Sequence, residues 1–127
     1  MTPRDAARAI AAGRIAIGLG LVVAPALSAR SWIGGDSARP GAQAMIRALG
    51  VRDAFLGLLT LHVIDRPGVG ARTVGALAAV DAVDFGATLA ARRTGTLPPA
   101  GSAVALAVAG GAAVAGVALG AALRDAE

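Results

Sequence analysis

Residues 100–123 read AGSAVALAVAGGAAVAGVALGAAL, a run without one ionisable group. As a helix at ~1.5 Å per residue it is about 36 Å long, enough to cross a ~30 Å hydrocarbon core. A water-facing helix of that length needs a polar face, and Ser102 is all this one can offer. Lipid is the solvent that such a sequence suits.

Working outward, three more apolar segments precede it, at about 6–27, 42–64 and 71–91, each near the ~20 residues a span requires. The connectors are rich in helix breakers. Residues 28–41 hold Gly34, Gly35, Pro40 and Gly41, residues 65–70 hold Pro67, Gly68 and Gly70, and residues 92–99 hold Gly95, Pro98 and Pro99. All three read as loops, with Trp32 of the first suited to a lipid–water boundary. The expected fold class is all-α, a four-helix transmembrane bundle forming one domain over residues 1–127. Small residues at four-residue spacing (Ala16, Gly20 and Ala24; Ala82, Gly86 and Ala90; Ala112, Gly116 and Gly120) point to close helix packing.

Composition agrees. The chain is 56% hydrophobic and 16% charged with a mean hydropathy of +0.69, against about 45–50% and 25% in soluble domains. A soluble helical bundle is the less favoured alternative. The pI near 11.5 does not signal nucleic acid. The arginines are dispersed and Trp32, Phe55 and Phe85 are the only aromatics, too few for a stacking platform. With no cysteine and one histidine, disulfides, thiolate chemistry and a conventional zinc site are excluded. The glycine pairs lack a phosphate-loop context. Ser28, Ser31, Ser37 and Ser102 have no base positioned by sequence. No catalytic residue, cofactor or metal is implied, and the chain reads as a non-enzyme.

The N-terminal arginines Arg4, Arg8 and Arg14 before an apolar run mimic a secretory signal. Retention is expected because Arg14 belongs to a band of charge. Measured from the side holding the termini, Arg14 lies ~12 Å deep, Asp53 ~18 Å, Arg52 ~20 Å, Asp81 ~15 Å and Asp84 ~20 Å, at ~1.5 Å per residue. Three helices thus bring charge to one depth. Arg47 lies near the opposite interface, where it can snorkel, and His62 lies near the terminal-side interface, in reach of water or a headgroup. Five arginines flank the termini's side (Arg4, Arg8, Arg66, Arg72, Arg124) and four the other (Arg30, Arg39, Arg92, Arg93), which leans toward cytoplasmic termini.

An ionised residue at mid-span costs about 2.5–3.5 kcal/mol, so these five must pair. Arg14 and Arg52 face Asp53, Asp81 and Asp84, leaving one carboxylate over, to be neutral, hydrated or cation-bound. Such a network can fix helix register or mark an ion, proton or substrate pathway.

The run Arg47-Ala48-Leu49-Gly50-Val51-Arg52-Asp53-Ala54-Phe55-Leu56-Gly57, with the Asp-bearing third segment, resembles small four-span bacterial membrane proteins of unknown function that are DoxX-like in general plan. The resemblance implies a multi-pass protein of the bacterial cytoplasmic membrane and adds no activity. Small multidrug exporters carry a carboxylate in the first span, where this chain has Arg14, and fluoride channels line a pore with phenylalanines; neither pattern fits. The expected partners are the lipid bilayer and either a second copy (a homo-oligomer) or a larger membrane protein, with no nucleic acid. The leading expectation is an accessory or scaffold protein. The alternative is a small proton-linked transporter or membrane binding protein using Asp81, Asp84 and Arg14.

Overall fold

The computed structural model describes residues 1–126. The order is α1 (Pro3–Val23), α2 (Pro25–Ile33), a 3-10 turn (Gly34–Ala38), α3 (Pro40–Val63), α4 (Val69–Arg93) and α5 (Pro99–Asp125). Proline opens four of the five helices, at Pro3, Pro25, Pro40 and Pro99. Its missing N–H is one that the first turn leaves unpaired anyway. At the first of these starts the Thr2 hydroxyl accepts from Asp5 N at 3.2 Å, and the Asp5 carboxylate accepts from Thr2 N at 3.0 Å, a reciprocal capping box.

The expected four-helix transmembrane bundle is corrected in two ways. There are five helices, and three of them, α1, α4 and α5, are long and apolar enough to cross a membrane. Helix α3 has the length but not the composition, since any 18-residue stretch of it contains Arg47, Arg52 and Asp53 together. The segment expected to run unbroken over 6–27 is cut at Ala24, whose φ of −133° and ψ of 65° are not helical. Pro25 cannot donate to the preceding turn and disfavours an α conformation in the residue before it. The chain restarts there as α2, which ends at Gly34, where φ is +69°. Residues read as a loop therefore hold a short helix.

The long helices form two intimate pairs, α1 with α3 and α4 with α5. Glycine makes the first possible. A Cβ on Gly18 would lie 2.5 Å from the Gly50 carbonyl oxygen, one on Gly50 would lie 2.5 Å from that of Gly18, and one on Gly57 would lie 2.6 Å from that of Ala11. Backbones can approach this closely only where no side chain intervenes. In the second pair Gly116 packs on Ala78, and Gly120 on Ala71 and Gly75. The other two small-residue series do not pack in this way. Ala82, Gly86 and Ala90 are exposed, as is Ala16.

At the end holding both termini the pairs close on one another around Ala7, Ile64, Ala71, Val74 and Leu123. At the opposite end α2 lies over α1 and α3, with Ala29 buried against Leu21 and Ile46. It also reaches α5, where Gly101 abuts the Ser31 carbonyl. Large apolar side chains cover the outside, among them Val23, Leu27, Phe55, Val83 and Val114, each more than half exposed. So wide an apolar surface is a liability in water and ordinary in lipid. The chain is a helical, membrane-associated protein.

Candidate functional site

Arg14 sits just past the middle of α1, on the face turned to both α3 and α4. One terminal nitrogen bonds Asp81 on α4 and the other lies 3.6 Å from Asp53 on α3. Arg52 leaves the edge of α3 and crosses to α4. There it takes Asp84 with two parallel bonds, Nη1 to Oδ1 at 3.1 Å and Nη2 to Oδ2 at 2.5 Å. The same Nη2 donates to Asp53 Oδ1 at 3.2 Å. All five charged residues singled out in the sequence thus belong to one chain of ion pairs, running Asp81, Arg14, Asp53, Arg52, Asp84. Arg14, Asp53 and Asp81 are largely buried, and Arg52 and Asp84 are about one-third exposed. Consecutive helix residues point about 100° apart, and Arg52 still joins the network because α3 borders α4 on that side and the long guanidinium side chain reaches across.

The two arginines do not serve the carboxylates equally. Both Asp84 oxygens are held by Arg52. Asp53 Oδ2 and Asp81 Oδ1 receive no hydrogen bond among the described residues. The surplus negative charge therefore falls on Asp53 and Asp81, which share Arg14, and not on Asp84.

Two cavities meet at this network. The larger, about 630 Å³, lies between the helix pairs on the α2 side. Arg14, Asp53, Asp81 and Asp84 form its floor, Ile17, Leu21, Val104 and Val108 its walls, and Trp32 and Ile33 of α2 its far end. From Asp81 to Ala91, both of which line it, α4 rises ~15 Å. The smaller cavity, about 20 Å³, lies on the terminal side among Ala7, Ala11, Thr60 and Val74. It is large enough for one water. Arg14 and Asp81 border both cavities, so their ion pair is a partition between them.

Trp32, expected in a loop, is on α2 and packed against the Leu21–Ala29–Ile46 cluster, with its Nε1–H buried and unpaired among the described residues. Cleft and cap were not anticipated from sequence, although Pro25 before PALSARSWI and Gly34 after it are an ordinary start and stop pair. His62 lies apart from the network. It is exposed near the terminal end, where Arg66 Nη2 donates to its Nε2 at 2.8 Å. At the same end Arg8 bonds Asp65 at 2.6 Å and Asp5 at 3.3 Å. No group of three or more metal-ligating side chains exists among the described residues.

No family model, curated protein or solved structure matches the chain. The likeness to four-span, DoxX-like proteins is thereby corrected. No family match supports it, and the helix bearing its most specific run is the one too charged to count among the three of spanning character.

Proposed function

We propose that this protein is a non-enzymatic membrane binding protein that takes a small amphiphile into the cleft between its two helix pairs. One observation carries the reading: an apolar cavity of about 630 Å³ ends on a buried Arg/Asp network. Sites for small molecules have this character, roughly 300–1,000 Å³, apolar walls and a few convergent polar groups. The non-catalytic part of the reading rests on the commitment of both network arginines to ion pairs. The Arg14–Asp81 partition extends the reading to transport, since opening that pair would join the cleft to the water-sized cavity on the terminal side.

The test is the content of the cleft. Protein taken from its membrane into lipid nanodiscs is extracted with organic solvent, and the extract is compared by mass spectrometry with that of empty nanodiscs. The comparison variant is Ala105→Phe, which fills the shaft. An amphiphile enriched on the wild type and missing from the variant is the expected result. Identical extracts from the two proteins would sink the reading.

A second reading rests on a different observation. Arg14–Asp81 and Arg52–Asp84 join α1 and α3 to α4, so the network also ties the two pairs together. That suits a scaffold or accessory protein docked to a larger membrane protein or to a second copy. It predicts a stoichiometric partner after mild solubilisation, and a clean monomer that still carries an amphiphile would count against it.

A further inference from the structure

The cleft has a charge as well as a shape, and the charge selects its ligand. Resting on the binding reading above, we propose that the ligand is a lipophilic monocation, seated with its positive centre at Asp53 and Asp81 and its apolar body along the shaft toward α2. The floor carries Arg14 against Asp53, Asp81 and Asp84. Arg52, outside the cleft, answers Asp84 through both its oxygens. Counting all five groups, two positive charges meet three negative ones. The uncompensated charge is on the pair that shares Arg14 and presents Asp53 Oδ2 and Asp81 Oδ1 without protein donors. Arg52 also reaches Asp53 Oδ1 at 3.2 Å, and no charge beyond these five groups lines the cleft. Helix α5 has no ionisable residue between Pro99 and Leu123, and the α2 residues that line the cleft are Ser28, Ser31, Trp32 and Ile33.

A surplus carboxylate in an apolar setting is costly when unpaired, and a cation restores neutrality. The apolar walls select among cations. A hydrated inorganic ion would leave the shaft unfilled, whereas an organic cation with a hydrophobic body occupies both parts. An anion would meet net negative charge, and a neutral amphiphile would gain only the apolar contact.

The experiment is equilibrium dialysis of the intact protein in nanodiscs against tetraphenylphosphonium, its matched anion tetraphenylborate and the neutral tetraphenylsilane, with empty nanodiscs subtracted. Saturable binding of the cation alone is expected, weakened by about tenfold or more in Asp53→Asn and Asp81→Asn and lost in Ala105→Phe, which leaves every charge in place. Should the Asn variants fail to fold, the contrast between cation and anion on the wild type, with Ala105→Phe, still decides the matter. Equal binding of all three probes, blocked by Ala105→Phe, would overturn the cation while leaving the cleft as a binding site. Binding of no probe above empty nanodiscs would overturn both.

Discussion

The two ends of this molecule are built from the same four long helices and differ in what lies between them. At the terminal end small residues let the pairs meet, and Ala7, Ala71 and Leu123 are almost completely buried. At the other end the pairs part around a cleft, and the short α2 lies at its far end. In lipid there is little hydrophobic drive to close such a gap, because acyl chains solvate the walls as well as leucine does. An opening that would collapse in a soluble core can therefore persist, provided something fixes how far the pairs spread. The Arg/Asp network, placed where the two regimes meet, is suited to that task.

Arg14→Gln is the harshest test of this division. It leaves Asp53 and Asp81 facing one another without their shared cation. Breaking one partner out of a buried ion pair costs about 3–5 kcal/mol. A large fall in the detergent melting temperature is expected, together with cross-linking that reports the pairs moving apart at the cleft. A melting curve like that of the wild type would mean that small-residue packing alone sets the spacing.

A matched pair of substitutions sharpens the comparison at intermediate effect. Ala71→Phe places a ring in the closed end, where Ala71 is 1% exposed, and overpacking of this kind costs about 1–3 kcal/mol. Ala105→Phe places the same ring in the cleft, and its expected cost is below ~0.5 kcal/mol, as for substitutions that strain no packed neighbour. Thermal melts of the two variants side by side measure the difference. Equal losses would mean that the cleft is as tightly filled as the terminal end.

Part of this division could be read from the residues alone. Apolar length marked α1, α4 and α5, and depth counted along each helix placed Arg14, Arg52, Asp53, Asp81 and Asp84 at one level, where the structure joins them. Depth is set by backbone rise, which sequence position determines directly. What depth cannot supply is azimuth and distance between helices. For that reason Asp84 looked as available as Asp81, although Arg52 holds it through both oxygens. Two of the three small-residue series misled for a related reason, while Gly116 and Gly120 of the third do pack. Four-residue spacing occurs on every face of an alanine-rich helix, and the glycines that pack α1 on α3, Gly18, Gly50 and Gly57, are identified by what stands opposite them. The segment over 28–41 was read from its glycines and prolines, which punctuate helices as readily as they replace them.

The smallest expected effect concerns the cap over the cleft. Where α1 breaks, Pro25 has no N–H to offer the preceding turn, and two side chains reach the carbonyls there. Arg47 Nε donates to Val22 O at 3.2 Å, and Ser28 Oγ to Gly20 O at 2.9 Å. Arg47→Met keeps the apolar stem and removes the first of these bonds, which is worth about 1 kcal/mol or less in so exposed a place. The global melting temperature should hardly move. If α2 is a separately stable cover, as the contrast between the ends implies, the loss should appear locally, as faster amide exchange over residues 25–33 with α4 unchanged. Exchange that quickens equally in α2 and α4 would show that the cap and the pairs open as one unit, and the two ends would then differ in packing but not in stability.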